Sequence, residues 1–161
     1  MKRNERVALC VLALLAAGCG KEERTVPTPG GDVRVTQKAG STTVEMSAKG
    51  EKMKITASDK GVALPDKFPA DVPIMPGAIV KMAMSAGDAL SVTFSVAASQ
   101  ADALKYYQEN LKAKGWEIEA TMNMGESAMV SAKKGKRQCV MNVAKEGSGS
   151  VVQLVAPLEK S

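Results

Sequence analysis

The sequence contains no histidine. Imidazole is the side chain that most often acts as a general acid or base near neutral pH, and it is the commonest metal ligand. Its absence excludes Ser-His-Asp and Cys-His nucleophile activation. Since no other catalytic motif stands out, we expect that the protein is not an enzyme and that it holds no resident cofactor.

The N-terminus carries the features of an export signal. Lys2, Arg3 and Arg6 are positively charged, and residues 7–17 form an apolar stretch that is too short to span a bilayer as a helix. The sequence LAAGC at 15–19 follows it. This motif resembles the lipobox of bacterial lipoproteins, although the family most often has leucine at the place of Ala16.

The lipobox resemblance implies that residues 1–18 are a signal peptide and that Cys19 carries a lipid such as palmitate. Because two or more acyl chains hold a protein stably on a membrane, the anchor would be permanent. Gly20 and Lys21 lack the aspartate that retains many lipoproteins at the inner membrane. We therefore expect a lipid anchor in the cell envelope, at the outer membrane and facing the periplasm.

Cysteine and aromatic residues are scarce. Of the three cysteines, Cys10 would leave with the signal peptide and Cys19 would be lipidated, so that Cys139 is the one thiol left. No intramolecular disulfide is then expected, and the fold must depend on its apolar core. Aromatic residues make up 3% of the chain and no nucleic-acid-binding motif is present, so we expect no nucleic-acid partner.

Composition divides the remaining chain into four segments. Residues 19–31 are charged and rich in proline and glycine, which predicts a lipid anchor and flexible spacer. Residues 32–63 hold three short alternating runs, which predict a small β meander with one apolar face that should lie against something. Residues 64–77 contain four prolines and predict an extended connector. Residues 78–158 form the main domain.

The main domain alternates between apolar and polar residues, except in one segment of helical periodicity. Ser99 and Asp102 predict the start of a helix, Tyr107 and Leu111 its apolar face, and Gly115 its end. Two predicted strands precede this helix and four follow it. The predicted fold class is α+β, with an antiparallel sheet (β-β-α-β-β-β-β) packed on one helix and preceded by a small three-stranded β meander.

A resemblance covers residues 68–157. It is carried by FPADVPIMPGA at 68–78 and by Tyr107, Leu111, Gly115 and Trp116 in the pattern Y-x3-L-x3-GW. This stretch resembles a sheet-and-helix domain that recurs in uncharacterised bacterial lipoproteins. The resemblance implies a compact envelope domain, and it brings no assigned activity.

Two methionine pairs, Met82 with Met84 and Met122 with Met124, resemble the thioether pairs of periplasmic copper(I) proteins. Residues i and i+2 on a strand share a face, and methionine often fills cores. The spacing therefore favours core packing, with Met122 continuing a buried row from Trp116, and leaves a copper(I) site as the alternative.

A basic cluster is the main candidate for surface contact, and it consists of Lys133, Lys134, Lys136 and Arg137. It could touch lipid headgroups or an acidic partner, or could simply be solvated. Tyr106 is a further surface candidate.

Cys139 alternates with Met141 and Val143, which predicts a buried and inert thiol. The carboxylate pairs, Asp66 with Asp71 and Glu117 with Glu119, show no sign of a cleft.

These patterns favour a lipid-anchored interaction module that binds another envelope protein or polymer through its sheet. The alternative is a small-ligand or copper(I)-binding lipoprotein that uses methionine-rich strand faces.

Overall fold

The structure, a computed structural model, describes residues 22–28, 31–38, 40–48 and 51–158. Those residues form ten strands and one helix. The first five strands are β1 Glu22–Thr28, β2 Gly31–Lys38, β3 Ser41–Ala48, β4 Glu51–Ser58 and β5 Ile79–Ala86. They are followed by β6 Ala89–Val96, α1 Gln100–Ala113, β7 Glu117–Asn123, β8 Ser127–Lys134, β9 Arg137–Glu146 and β10 Gly149–Pro157.

All ten strands belong to one antiparallel sheet, in the order β1-β2-β3-β4-β5-β6-β10-β9-β8-β7. The predicted fold class, an antiparallel sheet packed on one helix and preceded by a small three-stranded β meander, is therefore wrong. β4 pairs along β5, from Met53 opposite Ala86 to Ala57 opposite Met82. This pairing satisfies the backbone groups that two separate sheets would leave open at their edges, and it makes the N-terminal strands a continuation of the main sheet.

The segment for which composition predicts a spacer contributes a strand. β1 pairs with β2 over its whole length, from Glu22 opposite Gln37 to Thr28 opposite Gly31. Its charged residues do not prevent pairing, since an edge strand can keep them in water. Residues 19–21 and 29–30 of the predicted spacer lie outside the described residues.

The helix agrees with its sequence signals. The Ser99 hydroxyl accepts a hydrogen bond from the backbone N–H of Asp102, and Gly115 adopts φ 78° just after the helix. These are an N-cap and a left-handed C-terminal glycine, as predicted. The helix contacts β7, β8, β9 and β10 and so covers only one end of the sheet.

The core lies between α1, the connector and the strands β6 and β8–β10. Its strand residues alternate as predicted, and Tyr107 and Leu111 of the helix and Trp116 behind it are buried against them. Val72 of the connector is also buried in this cluster.

Two register shifts interrupt the alternation. One lies between Val80 and Met82 in β5, and the other lies between Ile118 and Ala120 in β7. An extra residue in one strand reverses the faces of the residues beyond it. These bulges decide which methionines face the core.

In the described part of the chain, no helix has both the length and the hydropathy needed to cross a membrane.

Candidate functional site

The sheet has two unlike faces. The helix face carries α1 and the connector, and it includes Val92, Val130 and Leu154. The open face is the opposite one and includes their strand neighbours, such as Ser91 and Val155, which are directly paired. Side chains alternate between these faces along each strand and stay on one face across each directly opposed pair.

On β1–β4 the apolar residues lie on the open face, opposite to the side that holds the core. The strand register places Val35, Val44, Ile55 and Met84 in one row across β2–β5 on that face. Val26, Val33, Met46 and Met53 form a second row across β1–β4. The apolar side of the sheet thus changes from the open face to the helix face at β5.

Exposed apolar side chains concentrate on the open face. Among the described residues, seven large hydrophobic side chains are exposed. Six of them take open-face strand positions, namely Val26, Met46, Ile79, Met82, Met122 and Val155. The seventh, Met124, directly follows β7. No described helix or strand packs over this face, so the partner that the meander was predicted to pack against is not found among those residues.

The helix face of β1–β4 is polar instead. Arg34 and Glu45 are directly paired across β2 and β3. Arg34 also forms an ion pair with Glu23 at 3.3 Å, and Glu45 forms one with Lys54 at 3.3 Å. Such exposed pairs contribute little stability, but they show which side of these four strands is suited to water.

A cavity of about 500 Å³ lies on the helix face where this polar area meets the connector. Its floor includes Thr43 and Thr56, whose hydroxyls are 3.3 Å apart, and its wall includes Leu64 and Leu158. The mixture of hydroxyls and apolar side chains is typical of sites for small molecules.

Two residues of the predicted basic cluster, Lys134 and Arg137, bind the connector. The carboxylate of Asp71 accepts hydrogen bonds from Arg137, one of them at 3.0 Å, and from Lys134 at 2.8 Å. Together they lower the pKa of Asp71 to about 2, with the hydrogen bond from Arg137 as the largest cause. Arg137 also lies over the ring of Trp116, at 5.1 Å from its centroid. Lys133 and Lys136, the other two members of the cluster, are exposed.

Tyr106, the other predicted surface residue, is half-buried. Its hydroxyl donates a hydrogen bond to the carbonyl of Ile74 at 2.9 Å, so it also holds the connector to the helix. The neighbouring Tyr107 is buried, and this burial raises its pKa to about 12.

The interpretation of the methionine pairs as core filler is wrong, since none of the four residues belongs to the core cluster. Met82, Met122 and Met124 are 43%, 50% and 56% exposed, and Met84 is half-buried on the open face. The bulge after Ile118 explains why Met122 is exposed. It places Met122 opposite Met129 on the open face rather than in the row of Trp116.

Cys139 is buried as predicted, with 1% of its surface exposed. Burial raises the pKa of its thiol to about 11. Of the carboxylates in the two sequence pairs, Asp71 is held by Arg137, Asp66 lines the cavity of about 500 Å³, and Glu119 accepts a hydrogen bond from Gln138 at 3.1 Å.

The sequence reasoning did not place Met84 on the same face as Met46 and Met53. The alternation of β3 and β4 identified the apolar face of these two strands, and the pairing of β4 with β5 adds Met84 to it, opposite Ile55 and diagonal to Met53. That pairing joins two strands that are separated by 20 residues in the sequence, and no local pattern signals it.

A family model described as START domain-like matches residues 79–149. The match covers less than half of the chain and runs from β5 to the start of β10, so β1–β4 lie outside it. A search of curated proteins and a search of solved structures found no match. The chain is thus similar to START domain-like proteins in its main domain.

Proposed function

We propose that the protein is a lipid-anchored envelope protein that binds another envelope protein through the open face of β1–β5. The main support is the concentration of exposed apolar side chains on that face. Monomeric proteins rarely expose large continuous apolar patches, and those that do generally use them for binding.

The charge distribution supports this assignment of the two faces. The ladder of Glu23, Arg34, Glu45 and Lys54 marks the helix face of β1–β4 as the one that stays in water. An antiparallel sheet with one polar and one apolar face normally buries the apolar one. In this protein a second molecule would bury it.

The lipid anchor proposed at Cys19 limits where the partner can be. β1 begins at Glu22, three residues after Cys19. Three extended residues span roughly 10 Å. A lipid on Cys19 would thus hold the β1 edge of the sheet close to the headgroups. The partner would then be a protein at or in the same membrane, with the outer membrane as the expected location.

Site-specific photocrosslinking in living cells tests the proposal. A photoreactive residue is placed at Met46 or Met53 on the open face, and at the adjacent Glu45 or Lys54 on the helix face as matched controls. We expect one protein to be crosslinked from Met46 and Met53 and not from Glu45 or Lys54. Equal crosslinking from both faces would contradict the proposal.

The anchor has its own test. Metabolic labelling with a palmitate analogue should label the full chain and should not label a Cys19→Ala variant, which should also leave the membrane fraction. Labelling that persists in the Cys19→Ala variant would exclude Cys19 as the lipidated residue.

We infer a second candidate function, the binding of a small ligand, from the cavity of about 500 Å³ on the helix face. The START domain-like match over the neighbouring strands supports it, because it is consistent with a ligand-binding module. Native mass spectrometry of protein purified from cells should then show a bound small molecule.

A Thr56→Trp variant would fill this cavity and should lose the bound molecule. Thr42→Trp is the matched control, because Thr42 lies on the open face of the neighbouring strand. Retention of the molecule by Thr56→Trp would rule out the cavity as its site.

A further inference from the structure

The alternating charges on the helix face of β1–β4 end at the cavity of about 500 Å³. Glu45 lies directly opposite Arg34 on one side and Lys54 on the other, and its carboxylate is 3.3 Å from the ammonium group of Lys54. On the far side of Lys54, the directly opposite residue of β5 is Ser85. A small neutral side chain therefore stands where the next anion of the series would be, and it lines the cavity together with Lys54.

Three hydroxyl groups lie beside Lys54 in the same cavity. Thr43 and Thr56 are directly paired across β3 and β4, with their hydroxyl oxygens 3.3 Å apart. Ser85 is diagonal to Thr56, because it follows by two positions Ala83, the residue opposite Thr56. A hydrogen bond between the two threonines uses only one of their two hydroxyl protons. The floor thus offers an ammonium group and hydroxyl donors at neighbouring positions, and a carboxylate accepts hydrogen bonds from both kinds of group.

The other charged residues of the lining are Asp66 and Lys67, which are consecutive and exposed in the connector. Their opposite charges offset each other, so the lining keeps a net positive charge from Lys54. Glu45, which pairs with Lys54, is not part of that lining. The cavity therefore favours an anion over a cation.

The opposite side of the cavity is apolar and is held in place by backbone hydrogen bonds. Leu64 and Leu158 line it and also pack against the core cluster. The N–H of Val62 donates to the carbonyl of Val80 at 2.8 Å, and the N–H of Leu158 donates to the carbonyl of Asp88 at 2.8 Å. This wall suits the apolar part of a ligand, as in most sites for small molecules.

We propose that this cavity binds a small amphipathic carboxylate, with its carboxylate between Lys54 and Ser85 and its apolar body against Leu64 and Leu158. The inference rests on the second candidate function, the binding of a small ligand, and names the chemical class of that ligand. Of the residues that line the cavity, only Ala83 and Ser85 fall within the residues that the family model matches. The ligand class thus follows from the lining of this chain.

The experiment compares three probes that share an eight-carbon chain and differ in charge. At pH 7 octanoate is an anion, octylammonium is a cation and octanol is neutral. The full chain carrying Cys19→Ala is freed of bound small molecules on an apolar resin, and each probe is titrated by calorimetry. We expect octanoate to bind more tightly than octanol, and octylammonium to bind most weakly.

Two lysine variants locate the carboxylate. Lys54→Gln should weaken octanoate binding roughly three- to tenfold, because a charged hydrogen bond at a partly exposed site is lost, and it should leave octanol binding unchanged. Lys52→Gln is the matched control, because Lys52 lies on the same face of β4 and is not part of the lining. Both lysines are exposed, so both variants should stay folded by circular dichroism.

Three results would overturn the proposal. One is equal affinity for the three probes, with all binding lost in Thr56→Trp, which would leave the cavity as a ligand site without a preference for carboxylates. The others are an absence of octanoate binding and an unchanged octanoate affinity in Lys54→Gln. Failure of the second candidate function itself would look different, because native mass spectrometry would then find a bound molecule that Thr56→Trp retains, or none at all.

Discussion

Asp71 in the connector accepts two hydrogen bonds from the guanidinium of Arg137, the first residue of β9. The two residues are 66 positions apart, and the side chain of Asp71 is 26% exposed. Trp116 joins the same cluster, because its indole N–H donates to the backbone carbonyl of Asp71 at 2.8 Å. These hydrogen bonds hold the connector over the part of the core that α1 covers.

This pair predicts a loss of stability in acid. The pKa of Asp71 is lowered from 3.8 to about 2 in the folded state. A carboxyl with a lowered folded pKa stabilises the fold above its unfolded pKa, and this contribution is lost as the pH falls from about 5 to 2. Discounted for partial exposure, it amounts to about 1–2 kcal/mol.

Asp71→Asn should therefore reduce the free energy of unfolding by about that amount at pH 7, with a difference from the unsubstituted protein that shrinks toward pH 2. Urea unfolding across this pH range measures it. Asp66→Asn, at an exposed carboxylate of the same connector, is the control and should show a smaller effect. A constant difference at all pH values would show that charge is not the cause.

Because of the bulge in β7, replacing Met122 or Met141 by alanine should reduce the free energy of unfolding by unequal amounts. Met122 is exposed on the open face, whereas Met141 of β9 is fully buried on the helix face. Met141→Ala should destabilise the protein by about 2–5 kcal/mol through cavity formation. Met122→Ala should change its stability by less than about 1 kcal/mol. Thermal unfolding of both variants checks this, and equal losses would place Met122 in the core after all.

Cys139 should be unreactive while the protein is folded. Only the thiolate is nucleophilic, and burial raises the pKa of this thiol to about 11. In a chain with Cys10→Ala and Cys19→Ala, a thiol-alkylating reagent at pH 8 should modify Cys139 no faster than the protein unfolds. Addition of urea should bring rapid modification. Rapid labelling without urea would show that the site opens locally.

Sequence alone predicted the elements whose signals are local. The buried alternation around Val92, Val130 and Leu154 and the Ser99 cap follow from periods of two and 3.6 residues, which short windows reveal. The prediction that Met122 is buried was wrong because one extra residue in β7 moves the residues after it to the opposite face of the sheet. No feature of the composition marks that extra residue. The apolar face of the meander was predicted, but its position on the side of the sheet away from the helix was not, because that position depends on the pairing of β4 with β5.

Gly149 allows the close approach of β10 to β6. A Cβ atom at this position would overlap the carbonyl oxygen of Val96. That oxygen belongs to the backbone of β6 and cannot turn away as a side chain would. Gly149→Ala should therefore separate the first residues of β10 from β6 and cost about 1–3 kcal/mol, in the range of overpacked cores.

In Gly149→Ala, the loss of stability should affect the start of β10 locally as well as the fold as a whole. Ser150 follows Gly149 and donates a hydrogen bond from its hydroxyl to the carbonyl of Ala98 at 2.8 Å. In Gly149→Ala, amide hydrogen exchange should speed up at the start of β10, near Ser150, more than at its end near Ala156. Ser148→Ala is the control, because Ser148 is exposed in the preceding turn. Unchanged exchange at Ser150 would mean that the two strands absorb the methyl group without separating.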